Sequence, residues 1–180
     1  MDQKLLEKKL DTKEIYHGKI LNVFVDDVLL PNGKKSTREL IRHCKASAVL
    51  AFDDNGNVIL EDQFRYPYNT VITEIPAGKA DGDEDPLVTA KRELLEETGY
   101  EANDIALLGE FYPSVAYTDE VIYLYEAHSL KKKEQHLDAD ESLSFYFKSF
   151  EEFKRMVSEG KIKDGKTLAA LAYYLLKRAM

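Results

Sequence analysis

The residues from Gly78 to Tyr100, GKADGDEDPLVTAKRELLEETGY, constrain this chain more than any other segment. They specify a glycine-bearing loop that feeds a helix with marked ends. Asp85 can cap the helix, Pro86 suits its first turn, and Gly99 suits the left-handed position beyond its last turn. Leu87, Val88, Ala90 and Leu94 form an apolar stripe, with Arg92, Glu93, Glu96 and Glu97 off it. The glutamates are spaced i, i+3 and i+4, which places them on one face about 6 Å apart or less. Like charges so placed repel and weaken an isolated helix. A divalent cation accounts for their concentration, and oxygen-only donors favour a hard ion such as Mg²⁺ or Mn²⁺.

On either side of this unit the chain reads as strands and turns. EIYHGKILNVFVDDVLL alternates with period two, and PNGKK at 31–35 is a turn signal. KASAVLAFD (45–53) and VILEDQFRY (58–66), joined by DNGN, predict a hairpin. TVITEIPAG (70–78) is a further strand that delivers the chain to the loop before the helix. Segments 105–113, 120–130 and 143–150 also read as strands, with a polar acidic loop at 131–142. FEEFKRMVSEG and KTLAALAYYLLKRAM close the chain as helices. The mixture predicts an α+β sandwich, a sheet flanked by helices.

Composition narrows the function. A chain of 180 residues with 44% hydrophobic content forms one compact domain, or one domain with a short extension. A net charge of −8 argues against duplex nucleic acid as the partner, but a bound metal can neutralise a small phosphorylated substrate locally. No apolar run reaches 18 residues, so no membrane span is expected, and the charged N-terminal residues lack the apolar core of a signal peptide. The single Cys44 cannot form an internal disulfide, which fits a reducing cytoplasm; its apolar neighbourhood reads as core. His17, His43, His128 and His136 show no zinc-ligand spacing.

In full, the spacing is Gly78, Glu84, Arg92-Glu93-Leu94, Glu96-Glu97, Thr98, Gly99, Tyr100. It resembles the Nudix box, the signature of hydrolases that cleave nucleoside diphosphates linked to another moiety. EDQFRYPYNTVITEIPAGK, the tail GKIKDGKTLAALAYYL and the strand-rich N-terminal segment resemble the ADP-ribose pyrophosphatase subfamily. The resemblance implies a Nudix-type α/β/α sandwich with a mixed sheet over residues 44–180. It also implies an N-terminal antiparallel strand segment, residues 1–43, exchanged across a homodimer. The implied reaction is Mg²⁺-dependent cleavage of ADP-ribose to AMP and ribose 5-phosphate, with Mn²⁺ as a substitute ion. Val115 stands where that subfamily usually has a proline, so another nucleoside diphosphate sugar or a dinucleotide is the alternative substrate. A nucleotide-sensing domain without catalysis is a further reading, and the retained glutamates weigh against it.

The resemblance also assigns candidate roles. Glu93 and Glu97 would ligate Mg²⁺, Glu96 would share or bridge a second ion, and the carbonyl of Ala77 is a further ligand. Arg92 would pair with Glu84 or the helix carboxylates and fix their rotamers. Glu141 is the candidate general base, in competition with Asp138 and Asp140 in the same loop. Arg65 would face phosphate, Glu74 the ribose or adenine, and Arg38 the substrate from the N-terminal segment. Tyr16, Phe24, Tyr66 and Tyr117 are candidate apolar platforms for adenine, with core filling as the competing reading.

Overall fold

A computed structural model describes residues 3–137 and 142–180 of the chain. The chain divides into two units, one of residues 1–44 and 114–120 and the other of residues 45–113 and 121–180.

The first unit is an antiparallel sheet of β1 (Lys8–His17), β2 (Asn22–Leu29) and β3 (Lys35–Arg42), in that order. The turn at Asn32-Gly33 connects β2 to β3, with Gly33 at a φ of 81° that suits glycine. Segment 114–120 joins this unit through its backbone. The Ile41 N–H donates to the Tyr117 carbonyl at 2.7 Å, and Arg42 pairs with Asp119 at 2.9 Å. Every residue of β1 is exposed, including Leu10, Ile15 and Tyr16. The strand extends further toward the N-terminus than the alternation from Glu14 predicts.

The second unit is built on a four-stranded mixed sheet in the order β7-β4-β9-β8: β7 (Ala77–Lys79), β4 (Ala46–Ala51), β9 (Ile122–Lys132) and β8 (Tyr100–Phe111). Strand β4 is buried along its whole length and runs parallel to β9. Such a strand must be largely apolar on both faces, and ASAVLA is, its one polar side chain, Ser47, donating to the Pro86 carbonyl at 2.7 Å. Ala48 and Leu50 face one cluster with Leu124, Ala170 and Leu171, the last two from α3 (Gly165–Ala179). Val49 and Ala51 face the other with Ala90 and Leu94 of α1 (Pro86–Thr98). The helices thus cover opposite faces of the sheet, giving the expected α+β, α/β/α arrangement.

A second, antiparallel sheet holds β10 (Leu143–Ser149), β5 (Asn57–Arg65) and β6 (Thr70–Glu74). Helix α2 (Phe150–Ser158) follows β10 and buries Phe153.

The predicted hairpin of residues 45–66 is not one. Its turn forms, with Gly56 at a φ of 77° and a bridge between Phe52 and Val58, but β4 and β5 then enter different sheets. The reason is competition for partners: β4 is taken by β7 and β9, and β5 by β6 and β10. Likewise the strand expected over 70–78 breaks at Ile75 and Pro76, because Pro76 has no N–H to donate to a ladder. Cys44, expected in the core, is exposed.

Candidate active site

Helix α1 begins as the sequence dictates. Asp85 accepts from the Leu87 N–H at 2.8 Å, Pro86 opens the first turn, and Gly99 takes a φ of 69° after the last. Ala90 and Leu94 bury the apolar stripe, while Val88 remains exposed. Two glutamates read as lying off that stripe are nonetheless buried, Glu97 at 2% and Glu93 at 8% exposure. They face the chain that arrives from β6 rather than solvent.

That chain is held closely against the helix. The Ala77 N–H donates to Glu97 Oε2 at 2.8 Å, and the Pro76 carbonyl accepts from the Val49 N–H at 2.9 Å. Gly78 follows, where a Cβ would stand 2.0 Å from Oε1 of Glu93. Any other residue there would force that carboxylate to move.

Arg92 collects the remaining charges. Its Nη1 donates to Glu93 and Glu96, each at 2.9 Å, and its Nη2 to Glu84 at 3.0 Å and the Lys79 carbonyl at 2.9 Å. Thr89 donates to the same Glu84 at 2.8 Å. The Arg92 hydrogen bond, with that from Thr89, pulls the Glu84 carboxyl down to about 2. Arg92 itself is held well above the ordinary arginine range, first by Glu84 and against the cost of its partial burial. The expected pairing of Arg92 with Glu84 and the helix carboxylates is therefore present as geometry. At the other end of α1, the segment after β9 closes the last turn: the His136 N–H donates to the Glu96 carbonyl at 3.0 Å, and Gln135 to the Glu97 carbonyl.

Arg65 and Glu74 are brought together as well. Arg65 donates through Nε and Nη2 to the two carboxylate oxygens at 2.6 and 2.7 Å, and Lys166 Nζ reaches Glu74 Oε2 from α3. Burial works against ionisation of Glu74, but Arg65 and Lys166 outweigh it and lower its pKa. The pair lines a cavity of about 430 Å³ with Tyr68, Phe111, Pro113 and Lys166. Each of the two expected binding side chains thus occupies the other.

The other expected residues fall elsewhere. Arg38, Tyr16 and Tyr117 belong to the first unit, where Arg38 pairs with Glu7 and both tyrosines are exposed. Phe24 is partly buried in β2, and Tyr66 is exposed. Glu141, Asp138 and Asp140 lie outside the described residues. Sequence reading missed Asp164, Lys166, Thr167 and Gln135. For Asp164 and Thr167 a signal exists, because Asp-x-x-Thr is an N-cap spacing and Asp164 does accept from the Thr167 N–H at 2.9 Å.

The donor set suits a hard divalent ion. It is anionic, made only of oxygen, partly removed from water, and bordered by a glycine whose missing side chain makes room for the Glu93 carboxylate. Among the described residues no three His, Cys, Asp or Glu side chains converge as a ready cluster. Arg92 and the Ala77 N–H hold the carboxylates in this arrangement.

A mixed sheet between two helices, one of them carrying these carboxylates beside β7, is the arrangement of a Nudix hydrolase. The NUDIX domain family matches residues 42–171, so the chain belongs to the Nudix family, whose hydrolases use divalent metal ions. Residues 7–41 match the nucleoside diphosphate sugar hydrolase N-terminal domain. The chain is 42% identical to a methanol dehydrogenase activator of Bacillus methanolicus, covering 97% of this chain and 95% of that protein. It is 40% identical to an ADP-ribose pyrophosphatase of Bacillus subtilis, covering 98% and 96%. Its fold superimposes on a crystal structure of an ADP compounds hydrolase with a TM-score of 0.85, at 20% identity over 94% of this chain and 93% of that one. No helix among the described residues is long and apolar enough to cross a membrane.

Proposed function

We propose that the protein is a Mg²⁺-dependent pyrophosphohydrolase that cleaves ADP-ribose to AMP and ribose 5-phosphate. The observation that carries this reading is the carboxylate assembly on α1, gathered by Arg92 and backed by Ala77 and Gly78. Similarity over nearly the whole chain to an ADP-ribose pyrophosphatase supports the choice of substrate.

Glu93, Glu96 and Glu97, with the Ala77 carbonyl, would hold Mg²⁺ or, in its place, Mn²⁺. The ion supplies charge stabilisation at the phosphoryl oxygens and a more acidic water. Arg92 would keep the carboxylates in fixed rotamers while they hold the ion. Arg65 offers the guanidinium edge that Glu74 does not use to a phosphate in the cavity, with Glu74 at the ribose side. Glu141 accepts the proton from the attacking water.

The proposed domain division is residues 1–43 for pairing and residues 44–180 for hydrolysis. The protein works as a homodimer in which Arg38, Tyr16 and Tyr117 contribute to substrate binding. Support comes from β1, an edge strand with exposed Leu10, Ile15 and Tyr16 that a second copy can cover. A single cysteine, exposed and unbridged, agrees with a cytoplasmic protein.

A substrate panel with and without Mg²⁺ tests the reading. AMP release from ADP-ribose faster than nucleotide release from GDP-mannose or UDP-glucose is the expected result. Efficient release of GMP or UMP with poor turnover of ADP-ribose would move the protein to the alternative class, another nucleoside diphosphate sugar.

A further inference from the structure

The backbone from Glu74 to Gly78 has two sides. One side meets the carboxylates of α1, through the Ala77 N–H on Glu97 and the open Cα of Gly78 beside Glu93. The other side is fastened to the first turn of α3. The Ile75 N–H donates to Thr167 Oγ1 at 3.0 Å, a buried bond between residues far apart in sequence. Thr167 Oγ1 in turn donates to the N-cap Asp164 at 2.6 Å, so its hydroxyl is used as donor and acceptor at once. One residue earlier, Glu74 is held by Lys166, which also pairs with Asp164 at 3.2 Å. Thr167 is fully buried and Lys166 nearly so.

The geometry requires this fastening. The strand breaks at Ile75 and Pro76, so no ladder continues from β6 into β7. Pro76 has no N–H, and its carbonyl takes the Val49 N–H. Across the break, the Ile75 N–H would be a buried, unpaired donor without the Thr167 hydroxyl. Its loss would free the segment that ends at Ala77 and Gly78.

We infer that Thr167 and Lys166 are positioning residues for the carboxylate site: through Ile75 and Glu74 they fix Ala77 and Gly78 against Glu97 and Glu93. This rests on the reading that those glutamates hold a divalent ion. Outer partners of metal ligands typically change metal affinity by about 10–100-fold when removed.

The test is Mn²⁺ binding to the substrate-free protein, followed by electron paramagnetic resonance and calorimetry, with thermal unfolding in parallel. Thr167→Val keeps the shape and deletes the hydroxyl; it should weaken Mn²⁺ binding about 10-fold or more. Thr167→Ser restores the hydroxyl and should bind within about twofold of wild type. Tyr173→Ala, on the same helix but set against Gly109 and the Glu110 carbonyl of β8, should lower the unfolding temperature and leave Mn²⁺ affinity unchanged. Should Thr167→Val not fold, Lys166→Met reads the second fastening, and it too should weaken Mn²⁺ binding. Wild-type affinity in a folded Thr167→Val or, failing that, in Lys166→Met, would overturn the inference. So would an equal loss in Tyr173→Ala, which would reduce Thr167 to a stability residue. Failure of the wild type to bind Mn²⁺ would instead strike the metal reading, and this inference with it.

Discussion

Gly78 and Glu93 occupy a space that one methyl group would fill: a Cβ at position 78 would stand 2.0 Å from the Glu93 carboxylate. The close approach joins the middle residue of β7 to a buried helix acid, next in sequence to the buried Leu94. Gly78→Ala should therefore displace Glu93. The expected outcome is a fall in kcat of about 10–100-fold, with overpacking that costs about 1–3 kcal/mol. Steady-state kinetics and urea unfolding check both.

Arg92 reaches Glu84, Glu93, Glu96 and the Lys79 carbonyl with one planar group. A lysine ammonium cannot span the same set of acceptors. Arg92→Lys should lower kcat by about tenfold or more, on the scale of outer partners of metal ligands. KM for ADP-ribose should change little. A KM effect with kcat intact would instead place Arg92 at the substrate.

Glu84 carries a pH signature. Its carboxyl is held at about 2 instead of the ordinary 4.5, chiefly by its hydrogen bond from Arg92. A group whose pKa is depressed by folding contributes stability above its unfolded pKa and loses it as pH falls through the folded one. The Glu84 contribution should thus be complete above about pH 4.5 and fade toward pH 2. Glu84→Gln should flatten the dependence of the urea midpoint on pH across that window relative to wild type. An unchanged slope would remove Glu84 from acid unfolding.

Glu74 lies between two cations, Arg65 and Lys166, and is 2% exposed. Its truncation to alanine takes the bidentate partner from Arg65 and leaves Lys166 with Asp164 alone. Arg65 is 39% exposed and Lys166 keeps one partner, so the cost should lie near the lower end for a broken buried pair, about 3 kcal/mol. At this chain length that corresponds to a drop in Tm of roughly 6–12 °C. The double variant Glu74→Ala/Lys166→Met should recover part of the loss, measured by differential scanning calorimetry, because the buried ammonium is gone as well.

The legible part of the sequence was local. Asp85, Pro86 and Gly99 mark the ends of α1 because capping and left-handed turns depend on single residues, and the structure keeps those ends. The glutamates were visible as a cluster for the same reason. Their burial was not, since it depends on how β7 crosses the helix. The hairpin expected around Asn55-Gly56 failed where partner choice becomes non-local: the turn is encoded, but β4 finds β9 more than seventy residues away. Lys166 and Thr167 were hidden for a related reason. Their partners Glu74 and Ile75 are 92 residues distant, and only packing of α3 brings them together. The acidic loop that holds Glu141 lies outside the described residues.

Under the proposed function, the α1 carboxylates hold the divalent ion on which hydrolysis of the pyrophosphate bond depends. The most direct measurement is AMP release from ADP-ribose by wild type and Glu97→Gln, titrated with Mg²⁺ after chelation. Turnover should appear with Mg²⁺ in the wild type, and in Glu97→Gln it should fall by about 10²-fold or more across the titration. Turnover that persists in chelator, or a Glu97→Gln rate equal to wild type, would take these carboxylates out of the reaction.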